Sequence, residues 1–277
     1  MEEEKEGIYL IGAFTNPDWR EDFTLKFPNL NWKDPKNNPQ SSMSKTVYTD
    51  MKSSMESPSS IVYIPKGRTS AGTTSYGELG GARAMGNAII TIDESEMEKE
   101  RILEDISSYY FSDKEEAYSL LEKEPIISKH SKVIPRNNPF EKENYENVYV
   151  EGNVLGITKQ IVKLKNKGKK IEHGLKVNQL EKFSQTDLMI VNFDKGKNYD
   201  NKKALYFMGV AYALDIPVIL VDENPANYPT LPALSRRTFH DENRIERLDF
   251  YLDRLESLKI GDEALVYYEL MKKFNKI

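Results

Sequence analysis

The chain has no cysteine and only three histidines in its 277 residues. Without cysteine there are no disulfides, no thiolate metal ligands and no thiol nucleophile, which suits a reducing compartment. His130, His173 and His240 are scattered, and none forms a His-Glu-x-x-His or similar metal pattern, so all three read as surface residues. No apolar run approaches the roughly 20 residues of a membrane helix. The opening Met1-Glu2-Glu3-Glu4-Lys5-Glu6-Gly7 is acidic and polar, unlike a signal peptide. Together these absences predict a cytoplasmic protein without a membrane partner. Also missing are a Gly-x-Gly-x-x-Gly fingerprint and a Gly-x-x-x-x-Gly-Lys-Ser/Thr loop, which speaks against a dinucleotide reductase and a P-loop enzyme. The net charge of −5 disfavours binding to extended nucleic acid. The lysines between positions 163 and 170 read as a solvated helix face.

What is present is an ordinary globular composition, 39% hydrophobic and 30% charged. Near-continuous apolar runs alternate with helical patterns, which predicts a parallel sheet covered on both faces. The plan occurs twice. The first half reads strand Ile8-Tyr9-Leu10-Ile11-Gly12-Ala13-Phe14, a helical pattern, strand Ser60-Ile61-Val62-Tyr63-Ile64-Pro65, a Gly-rich loop and helix, then strand Ala88-Ile89-Ile90-Thr91-Ile92 ending at Asp93. The second half reads Asn147-Val148-Tyr149-Val150-Glu151-Gly152, then Leu188-Met189-Ile190-Val191, a helix through residues 201–214, and Ile216 to Val221 ending at Asp222. Superposing the halves puts Gly12 on Gly152, Gly80 on Gly209, Ala82 on Ala211 and Ala88-Ile89-Ile90 on Pro217-Val218-Ile219. Glu78 then falls on Phe207, and Ser60 on Asp187. Residues 94–124, rich in Glu, Lys and Leu, read as helix. Residues 125–145, with Pro135, Asn137, Asn138 and Pro139, read as a linker. Residues 241–273 carry apolar residues at helical spacing, broken near Gly261-Asp262.

The stretch richest in chemistry is Thr73-Thr74-Ser75-Tyr76-Gly77-Glu78-Leu79-Gly80-Gly81-Ala82. It places a single carboxylate, Glu78, where a loop enters a helix at the carboxyl edge of an open α/β sheet. That edge is where such sheets bind ligands. A carboxylate there has two readings: an ordinary helix-start acid, or a nucleophile toward a sugar carbon. Asp93-Glu94 and Asp222-Glu223 end strands at the same edge and are candidates for ribose or cation contact.

With Ile11-Gly12-Ala13-Phe14, Trp19-Arg20, the loop Asp34-Pro35-Lys36-Asn37-Asn38-Pro39 and the Gly72 to Ala82 segment around Glu78-Leu79-Gly80, the first half resembles the nucleoside 2-deoxyribosyltransferase superfamily. The resemblance covers residues 8–93, about a third of the chain. It implies that Glu78 is the catalytic nucleophile, attacking the anomeric carbon of a nucleoside or nucleotide to leave a glycosyl-enzyme ester. It implies amides around Gly72, Thr73 and Gly77 on sugar hydroxyls or a 5′-phosphate, Phe14 and Trp19 stacked on the base, and Arg20 paired with a phosphate. Gly12, Tyr76, Ser60 and Asp187 complete the expected substrate-binding set. Family members commonly pair as dimers, one subunit finishing the other's site. A homo-oligomer is therefore compatible with the resemblance, and a tandem chain would build the pair internally. No metal or organic cofactor is implied.

The chain departs from the family in one place. An Asp expected just before the strand that precedes the glutamate loop is Ser60 here, a hydroxyl that cannot shuttle protons near neutral pH. The expected fold is α/β: two tandem flavodoxin-like parallel-sheet domains, residues 1–125 carrying Glu78 and residues 146–240 as a degenerate copy, plus C-terminal helices over 241–277. The expected activity is cleavage or exchange of an N-glycosidic bond. The alternatives are a non-catalytic nucleotide-binding sensor or sequestering protein, and NAD glycohydrolysis.

Overall fold

A computed structural model of the chain describes residues 7–13, 15, 18–38, 43–68, 70–72, 74–95, 100–124, 127, 134, 145–193, 198–222, 234–235, 237–239 and 243–254. Two five-stranded sheets account for the strands. The first contains β1 (Ile8–Ile11), β2 (Trp32–Lys33), β3 (Ser59–Ile64), β4 (Ala88–Asp93) and β5 (Tyr109–Phe111), in the order β2-β1-β3-β4-β5. The second contains β6 (Asn147–Gly152), β7 (Lys170–His173), β8 (Leu188–Phe193), β9 (Val218–Asp222) and β10 (Arg237–Phe239), in the order β10-β9-β8-β6-β7. Every pairing is parallel. Read from β7, the second order repeats the first, so both sheets are wound alike. No helix among the described residues is long and apolar enough to cross a membrane.

Helices cover both faces of each sheet. The first unit contributes α1 (Trp19–Lys26), α2 (Met43–Glu56), α3 (Ser75–Ala84), α4 (Arg101–Ile106) and α5 (Lys114–Lys123). The second contributes α6 (Thr158–Asn166), α7 (Leu180–Phe183), α8 (Asn198–Ala213) and α9 (Arg244–Arg254). Strand side chains alternate in facing. Leu10, Ile61, Tyr63 and Ile90 pack with Trp19 and Phe23 of α1 and Tyr118 and Leu121 of α5. Tyr9, Ile11, Val62 and Ile89 face α2, α3 and α4 instead. On that side the core continues into Leu180 and Phe183 of α7, Phe207 and Val210 of α8, and Tyr149, Met189 and Val218 of the second sheet. Beyond the second sheet, Ile161 and Leu164 of α6 pack with Leu248 and Tyr251 of α9. The lysine-rich α6 is tied down as well as solvated: Lys163 and Lys167 pair with Asp249 and Asp253.

The two units meet through α3 and α8, and the glycines explain how closely. A Cβ on Gly80 would sit 2.0 Å from the Tyr206 carbonyl oxygen, and one on Gly209 would sit 1.8 Å from the Gly77 carbonyl oxygen. These two contacts are one contact seen twice. Gly80 corresponds to Gly209, and the same sequence offset carries Gly77 to Tyr206. Each residue thus meets the counterpart of its neighbour, as across the two-fold axis of a homodimer. Gly81 faces α2 in the same way, with Met51 and Met55 against it. The glycines of this helix permit backbone contact, at an intrinsic helical cost of about 1 kcal/mol each.

Strand register corrects one equivalence drawn from sequence. Tyr9 lies opposite Ser60, which lies opposite Ile89. Tyr149 lies opposite Met189, which lies opposite Val218. Ser60 therefore corresponds to Met189, not to Asp187, which lies two residues earlier and outside the strand. Residues 94–124 are not one helix either: Tyr109, Tyr110 and Phe111 leave the helical pattern to form edge strand β5. The short strands β2, β7 and β10 also escape periodicity, having two to four residues each. Most of the expected linker, and everything after Arg254 including the break at Gly261-Asp262, lie outside the described residues.

Candidate functional site at the carboxyl edge of the first sheet

The first sheet reverses its winding between β1 and β3, the place at whose carboxyl edge open α/β sheets bind ligands. β1 runs into Gly12, whose φ of 146° suits glycine and whose missing Cβ leaves room beside the Tyr63 carbonyl. Asp18 caps α1 by accepting from the Arg20 amide at 3.2 Å. β3 leads through Gly72, at φ 103°, into α3. There Ser75 Oγ donates to the Ala71 carbonyl, and the amides of Gly77 and Glu78 donate to the Thr74 carbonyl. Glu78 thereby sits in the first turn of α3 with its side chain partly accessible. It is not the cap, a place held by Thr74. Ser54 of α2 donates to the Glu78 carbonyl at 3.2 Å, fixing the backbone from behind.

Glu78 is not alone. Burial, and next the negative charge of Asp50, raise its pKa to about 8, against the opposing pull of the Arg20 cation and the Tyr9 hydroxyl. Asp50 comes from α2 and accepts from Asn38 Nδ2 at 2.6 Å. Burial raises its pKa too, while Asn38, Tyr9 and Arg20 favour its ionised form. The Tyr9 hydroxyl is buried and makes no hydrogen bond of standard geometry, yet it faces both carboxyls closely enough to bias them. Burial and the two carboxylates in turn hold the Tyr9 phenol neutral, well above its ordinary pKa. The result is two carboxyl groups, a phenol and one cation near the switch point, each biasing the others' ionisation.

Arg20 is 1% exposed. It donates to the Gly12 carbonyl at 2.5 Å, pairs with Asp18 at 3.2 Å and Asp34 at 3.5 Å, and lies 4.7 Å from the Trp19 ring centroid. Its guanidinium is thus committed to holding the β1–α1 turn. Trp19 is core: its indole donates to the Ala13 carbonyl and packs on Phe23 and Tyr63. Asp18 is opposed by burial, but Lys36 and Arg20 outweigh it and keep the carboxyl below the usual range. Across the sheet from Glu78, on the α1–α5 side, a cleft of about 460 Å³ opens at the same edge. Asp18, Trp19, Tyr63, Arg68, Glu94 and Lys114 contribute to its lining, and Glu78 does not.

The expected site residues therefore divide. Gly12, Arg20, Gly72, Tyr76, Gly77 and Glu78 gather at the carboxyl edge. Tyr76 is fully buried, and Gly77 is used in packing against α8. Ser60 is buried beside Tyr9 in the register, with its hydroxyl unpartnered. Asp187 stands at the amino edge of the second sheet, accepting from the backbone amides of Glu146 and Asn147 and from Asn147 Nδ2. That role orders the start of β6. Asp93 and Glu94 tie the edge together, accepting from Tyr110 and from Tyr63 and the Lys114 amide. Phe14 and Thr73 lie outside the described residues, as do His130, His240 and Glu223.

Two members of the cluster escape sequence reading, and both left a signal. Asp50 lies on the helical stripe of Val47, Met51 and Ser54, an acid on the buried face of an amphipathic helix. Tyr9 places a hydroxyl in the middle of a fully buried strand. No family model matches the chain, and neither does any curated protein sequence.

Proposed function

We propose that the protein cleaves or exchanges the N-glycosidic bond of a nucleoside or nucleotide, with Glu78 as nucleophile. The observation that carries this reading is the pairing of Glu78 with Asp50 and Tyr9 at the switch point of the first sheet. Breaking a C–N glycosidic bond builds oxocarbenium character, which a nearby carboxylate stabilises and can trap as an ester. A second carboxyl that retains a proton can deliver it to the leaving base. Asp50 supplies the acid that Ser60 cannot, once the proton held by the pair passes from Glu78 to Asp50 and leaves Glu78 ionised. In the first step the Glu78 carboxylate bonds to the anomeric carbon, and the base departs with the C–N electron pair and a proton from Asp50. In the second, water or another base displaces Glu78 and returns the proton to Asp50.

A second reading has its own support. With a pKa of about 8, Glu78 in the free protein carries a proton at neutral pH, and Trp19 and Arg20 are engaged internally. These features suit a pocket that binds a nucleotide and releases it unchanged. Incubation with nucleosides, nucleoside monophosphates and NAD, followed by chromatography for freed base, separates the two. Base released by the wild type and not by Glu78→Ala supports catalysis. Base released equally by both removes Glu78 from the mechanism, and a nucleotide that is retained but returned intact establishes the sensor.

A further inference from the structure

We infer that Lys202, on α8 of the second unit, is a positioning residue for Glu78 in the first; the inference rests on the Glu78 reading above. Lys202 Nζ lies 2.7 Å from Glu100 Oε1, the two side chains being 19% and 7% exposed. The other oxygen of Glu100 accepts from the Tyr76 hydroxyl at 2.5 Å. The ammonium also lies 5.4 Å from the Tyr76 ring centroid. Tyr76 is fully buried in the first turn of α3, two residues before Glu78. A cation of the second unit therefore grips, through one carboxylate, the turn that presents Glu78.

Cohesion of the units does not call for this contact. The α3–α8 junction already has backbone contact at Gly80 and Gly209 and a shared apolar core. A buried ion pair adds little stability over apolar side chains of the same volume, whereas it does specify one geometry.

The next residue supplies an internal control. Lys203 pairs with Glu151 at 3.2 Å, and Glu151 accepts from the Tyr149 hydroxyl. That is a second lysine–glutamate–tyrosine cluster on the same helix. It lies wholly within the second unit, whose counterpart of Glu78 is Phe207.

The test uses the full chain with Lys202→Met, Lys202→Arg and Lys203→Met. Hydrogen exchange is followed in peptides covering residues 71–84, alongside kcat and KM for base release. Lys202→Met is expected to speed exchange in the first turn of α3 by roughly tenfold. It should lower kcat by up to about a hundredfold, as small misplacements of a reacting group do, with KM changed by less than about threefold. Lys202→Arg should restore both readouts, and Lys203→Met should leave both at the wild-type level. Unchanged exchange at 71–84 in folded Lys202→Met, or an equal effect from Lys203→Met, overturns the inference. If the wild type frees no base, the catalytic reading fails while the exchange measurement still decides the role of Lys202. If Lys202→Met does not fold, Glu100→Gln, which keeps the side-chain volume and an acceptor for Tyr76, answers the same question by the same exchange readout.

Discussion

The two halves of this chain share strand order, helix placement and a junction helix, yet differ at the point where each sheet reverses. In the first half that point holds Glu78, Asp50, Tyr9 and Arg20 around a carboxyl that burial leaves partly protonated. In the second half the position of Glu78 is core. Phe207 replaces Glu78 and packs at a tilt against Tyr149 and Phe183, with ring centroids 5.2 and 4.8 Å away. Asn192 donates to the Asn153 carbonyl, and a Cβ on Gly156 would sit 2.7 Å from Asn192 Nδ2. The position of the first unit's carboxyl is thus an aromatic core residue in the second, where the charged groups that remain, Lys203 and Glu151, pair with each other. Polarity at a switch point is costly to stability, and a duplicated chain can carry it in one copy while the other packs tightly.

The comparison can be broken most sharply at the paired positions themselves. If the proposed reaction holds, Glu78→Ala reduces base release by more than about a thousandfold with the fold intact, the loss expected for a nucleophile. Phe207→Ala should do the reverse: a loss of about 3–5 kcal/mol of stability from the cavity it leaves, with base release persisting in whatever remains folded. Denaturant melts and base-release assays on both variants check this, and a stable Phe207→Ala protein would show that the second switch point is not core. Asp50→Asn should slow base release by about a hundredfold, the contribution of a proton donor, while Asp187→Ala leaves the rate and costs about 1–2 kcal/mol for its lost amide contacts. A large rate loss in Asp187→Ala would bring the second half's acid into the reaction.

Gly80→Ala and Gly209→Ala test the junction. Each drives a Cβ into a carbonyl of the facing helix, and each should cost about 3 kcal/mol. Equal losses in melting experiments support the two-fold relation, and a difference of more than about 1.5 kcal/mol would refute it.

A further test of the comparison is one of pH. Glu78 has a folded pKa of about 8, above the ordinary carboxyl value of 4.5. Between these values the unfolded chain has released the proton and the folded one keeps it. Stability contributed by this group is therefore complete below about pH 4.5 and is lost as pH rises to about 8. Glu78→Gln should flatten that part of the stability–pH curve and raise the melting temperature at pH 9. An unchanged slope would mean that Glu78 is ionised throughout. Base release, needing Glu78 as the carboxylate while Asp50 keeps a proton, should fall away above about pH 8, where the pair has lost its last proton.

Much of the fold was legible in the sequence because apolar runs of five or six residues between glycine turns have few other ways to be buried. β3, β4, β8 and β9 stood out for that reason. β2, β7 and β10 did not, since edge strands of two to four residues bury too little to leave a pattern. The glycines of α3 were visible, but not what they do: Gly80 and Gly81 face other helices, and only the packed units show it. Glu78 was legible from its loop, whereas Asp50 comes from a helix more than twenty residues earlier and Tyr9 from the first strand.

By itself, the sequence determined the repeated βα plan, the parallel sheets and the asymmetry between Glu78 and Phe207, because these follow from local hydrophobicity and residue identity. Tertiary structure alone decided which groups surround Glu78. It put Asp187 at the amino edge of the other sheet, holding the start of β6, and it brought Lys202 to the Glu100–Tyr76 contact beside the turn that carries Glu78. The physical reason is that a carboxyl's proton affinity and a lysine's partner depend on charges and burial within a few ångströms. Those neighbours come from strands and helices that only folding brings together.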